Sequence, residues 1–266
     1  MSAFRGVMKL RSLAIPFLSA ISCAGVLAIA QGKGIDPALQ KKADAGDAGA
    51  QFQVGRTYAQ GVTVSQDLRQ AASWYEKSAD QGYAQAQYEL GSLYSRGDGV
   101  QQDYAKAAGW YRKAALQGVA DAQYNLGTFY EQGIAVPQDY AQAADLYRRA
   151  AEQGNASAQF NLGLLYDNGT GVNRDFAQAA AWYTRAAEQG LPRAQFNLGS
   201  MYAGGQGVRV NLPEAYFWFD LAANLWNGSH QEEAIRARDL VAQRLTQSDL
   251  LNAQNRAAKW LADHRK

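Results

Sequence analysis

Glycine recurs every 36 residues along most of this 266-residue chain, at Gly46, Gly82, Gly118, Gly154 and Gly190. Further series keep the same step: Gly55, Gly91, Gly127, Gly163 and Gly199, then Gly61, Gly97, Gly133, Gly169 and Gly205. Ala50, Ala86, Ala122, Ala158 and Ala194, and Tyr58, Tyr94, Tyr130, Tyr166 and Tyr202, run in phase with them. Five units in register at this period are the signature of a stacked-repeat architecture, in which each unit buries its apolar face only against its neighbours.

Each unit reads as two helices. In the first unit, Asp47 to Gln60 places Ala50, Val54 and Tyr58 four apart on one face. Gly55 falls inside that helix, where it costs about 1 kcal/mol relative to alanine. Its return in every unit predicts a close approach between two helices. The second helix starts at Asp67, and Asp103, Asp139, Asp175 and Asn211 hold the same place as caps for free backbone N–H groups. Leu68, Ala71, Ala72, Tyr75 and Ala79 follow at helical spacing. Lys77, Lys113 and Arg149 sit late in these helices, where they suit the negative end of the dipole, and Gly82 and its equivalents stop them.

The unit Ala158 to Gly190, AQFNLGLLYDNGTGVNRDFAQAAAWYTRAAEQG, resembles the Sel-one-like repeat of the tetratricopeptide superfamily. Near-copies begin at Ala50, Ala86 and Ala122, and the fifth, from Ala194, drifts at its end. Thr63 and Ala135 stand where the second loop glycine is expected, and Leu146 replaces the tryptophan found at Trp74, Trp110, Trp182 and Trp218. Asn224-Leu225-Trp226 replaces the usual Gln-Gly ending, which predicts a fifth second helix running on to Gly228. The resemblance implies an all-α fold, a right-handed α-solenoid of stacked antiparallel helix pairs, with five units and terminal caps. On this reading, residues 31–45 are an N-terminal half-repeat, 46–228 the five repeats and 229–266 capping helices. Gln231 to Arg244 and Ser248 to Ala262 are the predicted capping helices, with Thr246 and Asp249 as a capping box.

The glycine-rich stretch NGTGVNRDF, Asn168 to Phe176, poses the question of a phosphate loop. No strand precedes it, and Arg174 stands where a third glycine would be needed. Related loops recur at Gly97, Gly133 and Gly205, so the stretch is a hinge between helices, with Asp175 as the next cap.

Residues 1–30 differ from the rest. Arg5, Lys9 and Arg11 precede an almost wholly apolar run from Ser12 to Ala30 that ends Ala28-Ile29-Ala30. This is the pattern of a secretory signal peptide cleaved near Ala30. An uncleaved anchor, weakened by Pro16, and lipid attachment at Cys23 are the alternatives. The whole chain carries 26 basic and 24 acidic residues; the leader holds three of the basic ones and no acid, which leaves 23 against 24. That balance gives no nucleic-acid footprint. Membrane association is expected only through export, and the location is periplasmic or secreted.

No enzymatic chemistry is legible. Cys23 is the only cysteine and falls in the leader, and His230 and His264 are the only histidines. Zinc clusters and thiol nucleophiles therefore lack their residues, and no GxSxG elbow occurs. No cofactor is expected. The resemblance instead implies a concave wall lined by first helices that receives a protein or peptide partner. Gln53, Glu89, Asn125, Asn161 and Asn197 form one row on those helices; Asn offers both a donor and an acceptor to a peptide backbone. Arg56, Ser92, Thr128, Leu164 and Ser200 form the neighbouring, more varied row. Glu89, Asn125, Asn161, Asn197, Arg56 and Thr128 are the candidate partner-binding residues. The alternative role for the Asn row is hydrogen bonding between repeats.

The function expected is an exported, non-catalytic scaffold, an adaptor or regulator of the bacterial cell envelope. A second reading places a glycan- or peptide-binding site, or a hydrolase, at the aromatic C-terminal end from Tyr216 to Trp226, beside His230. Packing beneath a cap is the competing role for Tyr216, Phe217, Trp218 and Phe219.

Overall fold

Asp67, Asp103, Asp139 and Asp175 each turn an extended backbone into a helix by accepting hydrogen bonds from N–H groups two or three residues ahead. Each helix so started runs for 13 residues. The structure, a computed structural model, describes residues 34–264. The signal peptide, its cleavage point near Ala30, the anchor and Cys23 alternatives, and the start of the N-terminal half-repeat lie outside the described residues.

Thirteen helices and no strands make up the described residues. They are α1 (Pro37–Asp44), α2 (Ala48–Gln60), α3 (Leu68–Asp80), α4 (Ala84–Arg96), α5 (Tyr104–Leu116), α6 (Ala120–Gln132) and α7 (Tyr140–Glu152), followed by α8 (Ala156–Asn168), α9 (Phe176–Glu188), α10 (Pro192–Gly204), α11 (Leu212–Leu225), α12 (Gly228–Ala242) and α13 (Gln247–His264). Each even helix from α2 to α10 pairs with the one after it, and each pair leans on the next through its second helix. The result is an all-α solenoid.

Within each repeat the pairing turns on one glycine and one ring. A Cβ built on Gly163 would lie 2.6 Å from the Tyr183 ring, and the same collision occurs between Gly55 and Tyr75, Gly91 and Tyr111, Gly127 and Tyr147, and Gly199 and Phe219. The glycine inside the first helix is thus the seat of the second helix's aromatic ring, and its propensity cost is offset by the close approach. An aromatic three residues earlier on the first helix flanks the same ring; Phe160 and Tyr183 have centroids 5.7 Å apart, and Tyr124 and Tyr147 5.8 Å.

The hinge NGTGVNRDF uses its glycines differently. Gly169 caps α8 in the left-handed region, φ 68°. Gly171 is also left-handed, φ 70°, and a Cβ there would lie 2.4 Å from the Tyr140 carbonyl carbon and oxygen, in the preceding repeat. This second loop glycine is therefore an inter-repeat contact as well as a turn residue. In the third unit Ala135 takes its place at φ 55°, the only non-glycine at positive φ among the described residues.

A ladder of buried glutamines ties the repeats together. Gln51, Gln87, Gln123, Gln159 and Gln195 are buried on the first helices. Gln159 Nε2 donates to the Ala151 carbonyl of the preceding repeat at 3.0 Å, and its Oε1 accepts from Gln189 Nε2 at 2.7 Å. The Gln87, Gln123 and Gln51 sites repeat both bonds. At the fifth site Leu225 stands where the donor should be. Gln195 still donates to Ala187 at 3.1 Å, but its Oε1 is buried without a partner. Leu225→Gln restores the donor, and because an unmet buried acceptor costs about 1–3 kcal/mol, the variant is expected to raise the melting temperature. An unchanged or lower Tm in a calorimetric comparison with wild type would remove the ladder's energetic role at this site.

The solvent edge of the second helices carries a further repeated contact. Lys77 lies over Trp74 at 3.9 Å, Lys113 over Trp110 at 3.8 Å and Arg185 over Trp182 at 4.4 Å. Where Leu146 removes the ring, Arg149 pairs with Asp145 at 2.8 Å instead.

The fifth second helix does not run on to Gly228. It ends at Leu225: Trp226 is extended, φ −91°, ψ 167°, and α12 starts at Gly228. The break turns Trp226 back onto Phe196 at 5.8 Å and stacks it on His230 at 4.9 Å. Both α12 and α13 then pack on α11. Thr246 Oγ1 accepts from the Asp249 N–H at 3.1 Å and caps α13, while the Asp249 carboxylate accepts from the Thr246 hydroxyl at 2.8 Å and not from its backbone N–H as a full capping box requires. Ala257, Trp260 and Leu261 cover Phe217, Trp218 and Leu221, and Arg256 braces the site by pairing with Glu214 at 2.8 Å while lying over Phe217 at 4.4 Å.

Candidate binding surface

The first helices α2, α4, α6, α8 and α10 present equivalent positions at each 36-residue step. Arg56 is exposed, with its guanidinium 5.9 Å from the Phe52 ring centre. Glu89, Asn125, Asn161 and Asn197 are half-buried, and Gln53, at the head of their row, is exposed. Thr128 is half-buried; its hydroxyl donates to the Tyr124 carbonyl at 3.1 Å and meets the Tyr147 hydroxyl at 3.2 Å.

The asparagines meet the second helix of the preceding repeat. Asn125 stands near the phenol of Tyr111, Asn161 near that of Tyr147, and Asn197 near that of Tyr183. Each of these approaches spans two repeats. An amide offers a donor pair and an acceptor, so each half-buried Asn keeps hydrogen-bonding capacity.

The tyrosine hydroxyls are held from a second direction that sequence reading missed. Tyr147 donates to Glu131 Oε2 at 2.6 Å, and Tyr183 donates to Asp167 Oδ2 at 3.3 Å. Ser95 stands near the Tyr111 phenol at the equivalent position. Burial pushes all three phenols above the usual tyrosine range, so each hydroxyl keeps its proton and remains a donor. The row Ser95, Glu131 and Asp167 recurs every 36 residues and lies one position after the phased tyrosines Tyr94, Tyr130 and Tyr166. That recurrence was the available signal; the change of chemistry along the row hid it.

Burial is also the first cause of the raised pKa of Glu89, which Arg96 and Arg56 partly oppose. Burial likewise raises that of Asp167, against the Tyr183 hydrogen bond and the charge of Arg174. A carboxylate with a raised folded-state pKa favours the folded chain most when protonated, and this benefit is lost as pH rises through that pKa. Asp167→Asn, which keeps an acceptor for Tyr183, is expected to raise Tm at pH 7. The gain should shrink as pH falls through the raised pKa towards the ordinary value of 3.8. A gain that is the same at pH 7 and pH 3.5 would show that the charge is not its source.

The aromatic C-terminal run is interior. Tyr216, Phe217, Trp218 and Phe219 are 3–6 % exposed, and Gln254 donates to the Tyr216 hydroxyl at 3.2 Å. Trp226 and His230 stack at the start of α12, on the outer side of the break. Among the described residues, no group of three or more His, Cys, Asp and Glu side chains is placed to hold a metal ion.

The Sel1 repeat model matches five consecutive segments of the sequence, 48–83, 84–119, 120–155, 156–191 and 192–225. The chain belongs to the Sel1 repeat family. Sel1 repeat proteins are generally protein-interaction scaffolds. Among solved structures, a Sel1 repeat protein from Oxalobacter formigenes is 35% identical, with a TM-score of 0.67 over 75% of this chain and 80% of its own. The uropathogenic Escherichia coli protein c5321, described as a protective antigen displaying an SLR fold, is 31% identical over 86% of this chain and 59% of its own, at a TM-score of 0.47. None of the curated proteins matches the sequence. The repeat boundaries of this Sel1 chain coincide with the helix pairs: each matched segment opens on a first helix and, in the first four, closes just before the next.

Proposed function

We propose that this Sel1 repeat protein is an exported, non-catalytic scaffold of the bacterial cell envelope whose first-helix face binds a protein or peptide partner. The observation that carries the reading is the Asn row. Asn125, Asn161 and Asn197 recur at one register of the first helices, each near a tyrosine of the preceding repeat and each half-buried. Amides repeated at one spacing hold backbone groups of an extended chain without demanding a sequence. Thr128, Leu164 and Ser200 beside them vary in chemistry and supply selectivity. Arg56 and Glu89 set a charged entrance at the first two repeats. On this reading the first helices line the concave surface that the curvature of a stacked-repeat array creates. The basic, apolar leader supports export, with cleavage near Ala30 and an adaptor or regulatory role in the envelope.

The test is affinity capture on the purified chain from an envelope extract, followed by titration of the captured protein. Changing Asn125, Asn161 and Asn197 to Ala should weaken that partner at least about tenfold, the loss of roughly 1.4 kcal/mol. A partner held with unchanged affinity by the triple variant removes the face from the binding site.

The reading with a site at the aromatic end has less support. Four of its rings are core residues of the cap, which leaves only the Trp226–His230 stack to offer a face to a sugar.

A further inference from the structure

From α1 to α11, each Asp or Asn at the head of a helix caps it with its side chain. Asn155 accepts from the Ala158 N–H at 2.8 Å, and Asn211 from the Glu214 N–H at 3.1 Å. Asn227, at the head of α12, does not cap. It is exposed, and among the described residues its amide has no hydrogen-bond partner. Glycine follows it. Gly228 is left-handed, φ 63°, and nothing lies within 4 Å of a Cβ built on it. Its N–H is the first of α12, among those a helix leaves without an internal partner, and no backbone carbonyl of the described residues meets it.

The chain has a second Asn-Gly pair, Asn168-Gly169, which is held differently. Asn168 is exposed too, so exposure does not separate the pairs. But Asn168 closes α8, and the Gly169 N–H donates to the Leu165 carbonyl as part of the helix cap.

An Asn-Gly pair carries its own electrophile and nucleophile. The glycine nitrogen gives up its proton and attacks the asparagine Cγ. A bond forms between that nitrogen and Cγ, the Cγ–Nδ2 bond breaks, and Nδ2 leaves as ammonia with the proton. Water then opens the cyclic imide at either carbonyl, which leaves aspartate or isoaspartate. The sum is one asparagine and one water in, one acid and one ammonia out, with no change of oxidation state. Glycine eases the closure, because no Cβ crowds the attacking nitrogen and φ turns freely. The asparagine must also rotate away from its ψ, which is 165° at Asn227. There the rotation breaks no bond of the side chain or of the Gly228 N–H. At Asn168 it must undo the last turn of α8 and the Gly169–Leu165 bond.

We infer that Asn227 is a site of spontaneous, one-way covalent modification at the joint between the fifth repeat and its cap, and that Asn168 is not. The joint is where Trp226 leaves α11 to pack on Phe196 and stack on His230. The aspartate product sets a negative charge at the N-terminus of α12, where the helix dipole favours it. The isoaspartate product lengthens the main chain by a methylene between Trp226 and α12, which shifts the stack against the cap. The age of the molecule is thereby written into the end of the array.

The experiment incubates the purified chain in mildly alkaline buffer and maps its peptides by mass spectrometry at intervals, with isoaspartate counted by enzymatic methylation. Acid should accumulate at Asn227 at least about tenfold faster than at Asn168. In denaturant both pairs are the same dipeptide in an open chain, and the two rates should converge. Gly228→Ala should slow conversion at Asn227 and leave that at Asn168 unchanged, with a melting curve to check that the stack is intact. Equal rates in the folded chain, faster conversion at Asn168, or an Asn227 that stays intact while the denatured chain converts there would overturn the assignment. A rate at Asn227 that ignores Gly228→Ala would remove the Gly228 nitrogen as the nucleophile.

Discussion

Gly171→Val is expected to lower stability by on the order of 2–5 kcal/mol, through two costs that act together. A β-branched residue is forced into φ near 70°, and its Cβ is driven to 2.4 Å from the Tyr140 carbonyl group at the start of α7. The preceding repeat must move, so the damage is to an interface and not to one turn. Gly154→Ala supplies the control. Gly154 also has positive φ, 92°, but nothing lies within 4 Å of its added Cβ. That variant should lose only about 1–2 kcal/mol, the cost of a left-handed non-glycine residue. Ala135, at φ 55° in the third unit, shows that a methyl is accommodated at the Gly171 register at the cost of strain, whereas the β-branched Thr63 occupies the register in the first unit without positive φ. Denaturant unfolding of the two variants checks the difference. Equal losses would mean that the second loop glycine serves the turn alone.

The second large effect is expected at Gln159. Gln159→Leu removes both the bond to Ala151 and the acceptor for Gln189, and it places an apolar group where a buried amide bridged two repeats. A loss of about 1–3 kcal/mol follows from the loss of one buried and one part-buried hydrogen bond at this joint. Its distribution should be distinctive. In a stacked array, stability is a sum of repeat and neighbour terms, so weakening the joint between the third and fourth repeats should broaden the unfolding transition. Amide exchange should quicken on both sides of that joint and least in α2 and α3. Loss spread evenly over all repeats, with an unchanged transition width, would contradict the ladder as a neighbour coupling.

Much of this architecture is legible because the period repeats each local rule five times. Asp67 and its equivalents cap, Gly61 and its equivalents end the first helices, and Gly163 admits a ring, all readable from position within the unit. What escaped were features expressed between units. The buried glutamines stand beside the phased alanines as a recurring Ala-Gln pair, but a glutamine on an apolar stripe reads as solvent-facing until a carbonyl eight residues back is seen to receive it. The role of Gly171 towards Tyr140 was hidden for the same reason, since no local pattern reports a neighbour 31 residues away. The fifth unit's ending at Leu225 was misread because continuity of hydrophobic character outweighed the missing Gln-Gly. Trp226 instead gains more by leaving the helix to pack on Phe196 and His230.

On the candidate surface, the sequence pointed to the Asn row and to its two possible uses, and the structure sets three of its members near phenols of the preceding repeats. Glu131 and Asp167 were passed over because their row changes chemistry from Ser95 to Glu131 to Asp167, so no fixed residue type advertised it. Varied chemistry on a constant scaffold is nevertheless how one array distinguishes its partners.

The most direct test is nuclear magnetic resonance of the chain bound to a peptide selected on it, read at the side-chain amides of Asn125, Asn161 and Asn197 and the backbone of the first helices. If the first-helix face is the binding wall, these resonances shift with saturation while those of α3, α5, α7 and α9 stay in place. Saturable shifts confined to the second helices, or to α12 and α13, would place the partner elsewhere and contradict it.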